Sequence, residues 1–156
     1  MISARTFRGG IHPLHSSGEG KRLTAALPVE PMTAPKTVCI PMAQHIGAPC
    51  VPCVAVGEHV KRGQKIGQTR SFVSAPVHAS ISGTVTEIAP HLVVGGNMVT
   101  CVTIENDFAD EWAEECLAEP RVLDSITAEE ALNAVLEGGL VGMGGAAFPA
   151  HVKLSP

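Results

Sequence analysis

Apolar and polar residues alternate most regularly between about Thr37 and Glu105, in two halves. The first runs Val54-Ala55-Val56-Gly57-Glu58-His59-Val60-Lys61-Arg62-Gly63-Gln64-Lys65-Ile66-Gly67, and the second runs Val77-His78-Ala79-Ser80-Ile81-Ser82-Gly83-Thr84-Val85-Thr86-Glu87-Ile88. Alternation of this kind, broken by glycines, predicts short half-buried strands joined by tight turns. Gly57 and Gly83 are expected to hold φ > 0 turns, or close backbone approaches, at equivalent places in the two halves, because such a backbone costs glycine little. Neither half buries its apolar face alone, so the two should close on each other as layers. Strand signals also cover Thr37–Pro41 and Gln44–Pro49. A last strand, Met98–Glu105, follows the hairpin-like turn Gly95-Gly96-Asn97. Strands at this spacing predict a closed or sandwiched β domain over residues 37–106.

The flanks read differently. Residues 1–36 are rich in proline and glycine and predict an extended arm lying over another surface. Residues 107–156 begin as an acidic connector carrying the lone Trp112, either a short helix or irregular. Thr127 and Glu130 then form a capping box. Ala131, Leu132, Val135 and Leu136 make one apolar helical face, which Gly138-Gly139 brings to an end.

Composition sharpens this picture in three places. With 45% hydrophobic but only 3% aromatic residues and no tyrosine, the core must be aliphatic. No apolar run reaches the ~20 residues of a membrane-spanning helix, and the N-terminus lacks a signal peptide's apolar region, so the chain is expected to be soluble. The net charge of −4 is uneven: nine of eleven Lys and Arg fall between Arg5 and Arg70, and eleven of fifteen acids between Glu105 and Glu137. A basic first half suits an anionic membrane surface or an acidic partner, while two ordinary solvated surfaces are the simpler account.

Five cysteines at irregular spacing describe no disulfide framework. Cys50-Val51-Pro52-Cys53, with His45 and His59 nearby, offers donors for a metal or redox site. No second C-x-x-C follows, so buried thiols in a reducing cytoplasm are the simpler reading. His12 and His15 read as exposed loop histidines.

The paired halves resemble the biotinyl/lipoyl-type barrel-sandwich hybrid, in which V-x-x-G-x-x-V-x-x-G-x-x-I is followed by A-P-x-x-G-x-V. Carrier domains of that kind hold a modified lysine at the hairpin tip between the halves. Here the connection is Gln68-Thr69-Arg70-Ser71-Phe72-Val73-Ser74, and Lys65 falls within the preceding strand. The resemblance therefore implies the scaffold without an attached prosthetic group.

The tail Gly138-Gly139-Leu140-Val141-Gly142-Met143-Gly144-Gly145-Ala146-Ala147-Phe148-Pro149-Ala150-His151-Val152-Lys153-Leu154 lets backbone approach a ligand and offers N–H groups to an anion. It is similar to the flavin-binding loop of the flavoprotein subunit of respiratory NADH dehydrogenase, G-L-R-G-R-G-G-A-G-F-P-T-G-x-K-W. Val141 and Met143 stand where that family has arginines, Ala147 and His151 replace glycines, and Leu154 replaces tryptophan. Three features in combination resemble the C subunit of the bacterial Rnf electron-transport complex. They are the arm Phe7-Arg8-Gly9-Gly10-Ile11-His12-Pro13, the lysine-less β domain with Pro41-x-x-Gln44-His45-Ile46-Gly47-Ala48-Pro49, and the tail itself.

That resemblance implies a mainly β fold, a barrel-sandwich hybrid followed by a helix and the start of an α/β flavin/NADH-binding domain. It implies a peripheral subunit on the cytoplasmic side of the inner membrane, working with other Rnf subunits to couple electron flow between NADH and ferredoxin to ion translocation. The cofactors implied for the whole subunit are FMN or NADH and two 4Fe-4S clusters. The cofactor residues carried over are Gly142, Gly144, Gly145, Ala146, Ala147, Phe148 and Lys153, with Lys153 near a phosphate or ring edge. The chain is then expected to be an N-terminal piece of that subunit, lacking the strands that would cover the pocket, with its loop not pre-organised and its binding very weak or absent. Two other readings are a carrier-like domain, and an interaction module that holds partners and does no chemistry.

Overall fold

The computed structural model describes residue 24, residues 26–119 and residues 125–155. Residues 1–33 and 34–156 form two separate compact units. In the first, the Leu27 N–H donates to the Thr24 carbonyl at 3.0 Å, and Leu27, Val29 and Met32 are exposed. Most of the proline- and glycine-rich arm, with His12 and His15, lies outside the described residues.

Among the described residues, the second unit holds seven strands: β1 Thr37–Pro41, β2 Val51–Pro52, β3 His59–Val60, β4 Lys65–Gln68, β5 Val77–His78, β6 Gly83–Leu92 and β7 Met98–Asn106. They make a four-stranded sheet in the order β1-β7-β6-β3 and a three-stranded sheet in the order β2-β4-β5. Each half-motif gives one strand to each sheet. From the first, β3 pairs with β6 and β4 with β5, all antiparallel. This exchange is how the halves close on each other as layers. Period-two alternation then sends Val60, Ile66, Val77, Val85, Val102 and Ile104 into one aliphatic core. The fold is mainly β, as the alternation predicts.

Gly57 and Gly83 both have positive φ, at 89° and 152°, but for different physical reasons. Gly57 lies in an open turn, where an added Cβ meets nothing within 4 Å; at Gly83 the Cβ would sit 1.9 Å from the Glu105 carbonyl oxygen. The first is a turn and the second a close approach of β6 to β7.

The strand expected over Gln44–Pro49 is absent. At Gly47 the backbone runs so close to Val73 that a Cβ would lie 2.1 Å from its carbonyl oxygen. The Ala48 N–H donates to that same carbonyl at 3.0 Å. The His45 ring bridges the segment, Nδ1 donating to the Ile46 carbonyl at 3.1 Å and Nε2 accepting from the Ala75 N–H at 3.0 Å. Side-chain and loop contacts use the groups that a strand ladder would need.

After β7 the acidic connector resolves as a 3-10 turn, Glu114–Leu117, preceded by an irregular stretch clasped to the β domain. Arg62 stacks over Trp112, 4.1 Å from the ring centroid. Its N–H donates to the Glu111 carbonyl at 2.8 Å and its carbonyl accepts from the Ala113 N–H at 2.9 Å. The buried Ser82 hydroxyl donates to Asp107 Oδ1 at 2.7 Å, and His59 Nε2 lies 2.8 Å from Oδ2.

The Ser82 hydroxyl, the Ala109 N–H and His59, in that order, hold the Asp107 carboxyl at about 2, below its ordinary value. A depressed carboxylate stabilises the fold above its unfolded pKa of about 3.9, and that contribution is lost as pH falls towards the folded value. Asp107→Asn is therefore expected to lower the thermal midpoint at pH 6, with the gap to wild type closing between about pH 4 and pH 2. A gap that stays constant over that range would show that the charge is not what Asp107 contributes.

The capping-box helix forms as predicted: α1 spans Ala128–Glu137, with Thr127 as N-cap. Thr127 Oγ1 accepts from the Glu130 N–H at 3.2 Å, and the Thr127 N–H donates to Glu130 Oε2 at 2.7 Å. A second helix, α2, spans Ala150–Leu154 and packs on α1. Among the described residues, no helix is long and apolar enough to cross a membrane.

Candidate functional site

The glycine-rich segment between α1 and α2 is a closed loop held at both ends. Val141 and Pro149 form an antiparallel bridge. The Gly142 N–H donates to the Phe148 carbonyl at 2.8 Å, and the Ala150 N–H donates to the Leu140 carbonyl at 2.9 Å. At the tip, the Ala147 N–H donates to the Gly144 carbonyl at 3.0 Å, with Ala147 itself at φ 44°. The family pattern has glycine at that place, and the left-handed backbone explains why. The loop is therefore shaped by its own hydrogen bonds.

The β domain also holds the loop. The Ile46 N–H donates to the Ala146 carbonyl at 3.0 Å. His151, on the first turn of α2, is buried, and its Nε2–H donates to the Phe72 carbonyl at 3.0 Å. The Phe72 ring meets the imidazole edge-on, centroids 5.9 Å apart. Lys65 in β4 pairs with Glu137 at the end of α1. Just beyond, Gly139 lies so close to the Pro76 carbonyl that a Cβ would be 2.6 Å from its oxygen. The His78 imidazole packs here as well; burial pushes its pKa down and the Lys65 charge adds to that.

Of the seven residues singled out from sequence, three converge. Lys153 Nζ lies 3.3 Å from where a Cβ would stand on Gly142 and 5.6 Å from the Phe148 ring centroid. Gly144 and Gly145 sit apart from them, exposed at the tip, and an added Cβ at either meets nothing within 4 Å. Ala147 bonds to Gly144 within the tip, and Ala146 ties the tip to Ile46 of the β domain. The result is a ledge of bare backbone with one ammonium at its base. It suits the face of a planar ring or a phosphate oxygen.

Sequence reasoning missed the support beneath the ledge. Ile46 and His45 belong to the Pro41–Pro49 motif, and Phe72 to the connection between the half-motifs. Nothing in one-dimensional order links them to residues a hundred or so positions later. A cavity of about 490 Å3 lies between the β4–β5 connection and the helices, with Lys65, Arg70, Phe72, Leu136 and His151 among its walls.

The Cys50-x-x-Cys53 pair does not converge. The Cys50 thiol turns inward to the Ala75 carbonyl at 3.1 Å, and the Cys53 thiol points to the Lys65 carbonyl at 3.5 Å. Among the described residues, no three Cys, His, Asp or Glu side chains gather as a metal site. Lys65, the nearest lysine to the carrier-type hairpin, lies in a strand with its ammonium on Glu137.

Comparison with known proteins bears on the same residues. A family model described as the RnfC barrel sandwich hybrid domain matches residues 5–109. The C subunit of the proton-translocating ferredoxin:NAD(+) oxidoreductase complex of Clostridium ljungdahlii is 43% identical over 97% of this chain and 32% of its own length. The C subunit of the Na(+)-translocating ferredoxin:NAD(+) oxidoreductase complex of Acetobacterium woodii is 42% identical over 96% of this chain and 33% of its own. The C subunit of the ion-translocating oxidoreductase complex of Rhodobacter capsulatus is 39% identical over 99% of this chain and 29% of its own. The chain thus spans about a third of the length of these relatives. Its two-sheet β domain lies within the matched family domain, and the likeness to the relatives covers nearly the whole chain: the chain belongs to the RnfC family.

Proposed function

We propose that this chain works in a membrane-associated electron transport complex coupling electron transfer between NADH and ferredoxin to ion translocation. In this reading the β domain docks the chain to the other subunits, on the cytoplasmic side of a bacterial inner membrane. The loop Gly142–Phe148, with Lys153, forms one wall of a pocket for FMN or NADH where an α/β domain begins. The two 4Fe-4S clusters implied by the family resemblance belong to another part of the subunit, since the five cysteines here supply no set of four at close spacing.

The observation that carries the reading is the bare backbone ledge with a cation at its base. Its residues fit the implied group: Gly144 and Gly145 leave open space above them, and Lys153 Nζ lies beside the loop backbone at Gly142. A bound flavin would supply the exchange of hydride for single electrons. The chain's own part is to bind and orient, with Lys153 balancing phosphate charge and the glycines admitting a flat ring.

Titrations with FMN and with NADH, on this chain and on a full-length subunit, test the proposal. Only one wall is present here, so binding by this chain is expected to be far weaker than by the full-length subunit. In the full-length subunit, Gly144→Val with Lys153→Ala is expected to weaken binding about tenfold or more, the scale of one lost charged hydrogen bond plus a blocked approach. Unchanged affinity in that double variant would show that the loop is not the pocket. The interaction-module reading would then stand alone.

A further inference from the structure

β1 ends the four-stranded sheet, and its outer edge carries the strongest unused binding capacity in the described residues. The ladder with β7 fixes which groups are spent. The Asn106 N–H donates to the Lys36 carbonyl at 2.8 Å, and the Met42 N–H donates to the Thr100 carbonyl at 2.9 Å. With Val38 opposite Ile104 and Ile40 opposite Val102, the even-numbered residues bond to β7. The N–H and C=O groups of Thr37 and Cys39 therefore point away from the sheet. No described backbone group takes them up, and both residues are exposed.

That edge opens on a groove of about 570 Å3. Its lining includes Val38 and Ile40 of β1, His78 of β5 with Ser80 just beyond it, and Val93 and Val94 between β6 and β7. None of its lining residues is Lys, Arg, Asp or Glu. An exposed edge of this sort is normally blunted by charge or proline. Here Pro41 closes one end and Pro35-Lys36 flanks the other, while Thr37 and Cys39 between them carry neither charge nor proline; Val94 in the groove lining is wholly exposed.

We propose that the groove takes an extended, uncharged, apolar segment of a partner subunit, which adds as a strand to the free edge of β1. The backbone dictates an extended occupant, because only a strand meets outward N–H and C=O groups at two-residue spacing. The uncharged lining selects against charged side chains, which would lose their hydration without gaining a partner. A second copy would arrive with β7 already attached to its own β1, and so would bring a sheet rather than a lone strand to this edge. The inference rests on the proposed membership of a multi-subunit complex.

Hydrogen exchange read at single amides tests it, comparing this chain alone with the same chain co-assembled with the other complex subunits. The Val38 and Ile40 amides, bonded to β7, are expected to be slow in both. Those of Thr37 and Cys39 are expected to exchange quickly in the lone chain and at least about a hundredfold more slowly in the assembly. Val94→Asp, at a side chain that bears no packing, is expected to cut retention of the chain on the other subunits about tenfold or more while leaving its thermal midpoint in place. Co-assembly with Thr37 and Cys39 still exchanging freely would overturn the proposal and leave complex membership intact. Failure to co-assemble at all would overturn both. Protection already present in the lone chain would also overturn it. Protection that rises with concentration would assign the edge to a second copy, and protection independent of concentration to a contact within the chain itself.

Discussion

Gly83→Val is expected to cost about 3 kcal/mol or more of folding stability, and Gly57→Val only about 1 kcal/mol. Both glycines have positive φ, so backbone strain alone would make the two variants alike. The difference lies in what a side chain meets. At Gly57 there is open space, whereas at Gly83 a Cβ would sit 1.9 Å from the Glu105 carbonyl oxygen, with Asn106 Cα 3.2 Å away. Those atoms are backbone and cannot swing aside, so β6 and β7 must part where they pair at Gly83–Asn106 and Thr84–Glu105. The Ser82 clasp on Asp107 adjoins the break. Urea denaturation of both variants checks this; equal losses would show that the close approach at Gly83 relaxes freely.

Ile104→Ala is the second large effect, expected at about 2–5 kcal/mol, with Ile104→Val at about 0.5–1.5 kcal/mol. Ile104 is fully buried on the strand that lies between β1 and β6. Its neighbours are held by two ladders, one to Val38 and one to Val85, so they have little freedom to collapse into the space left behind. With few aromatic residues available, no large ring nearby can shift to refill it. A loss below about 1 kcal/mol for the alanine variant would mean that the site collapses after all.

The β domain was legible because period-two alternation and turn glycines are local signals. Val60, Ile66, Val85 and Ile104, apolar positions of the strands that the alternation marks, are fully buried. The capping box at Thr127 and Glu130 is likewise local and forms as expected. Gln44–Pro49 reads as a strand beside its neighbours, yet its Gly, Ala and Pro are poor strand formers, and its path is set by Val73, twenty-six residues beyond Gly47. The loop's backbone shape was implied by its glycines, but its support was not. His151 against Phe72 and Ile46 against Ala146 are contacts over 79 and 100 positions, and no periodicity encodes them. The Asp107 clasp escaped notice for the same reason.

The placement of β1 has a consequence for the chain as it is made. β1 leaves the ribosome early, yet its ladder partner is β7, with Thr37 opposite Glu105. At translation rates of about 5–20 residues per second, β1 waits roughly 3–14 s for that partner to emerge. Throughout that interval both its edges are bare and Val38 and Ile40 have no sheet to join. The β6–β7 hairpin, whose strands are neighbours in sequence, closes first because its loop is short. The earliest strand of the domain is thus among the last to be secured, and the nascent domain depends on whatever shields that strand in the meantime.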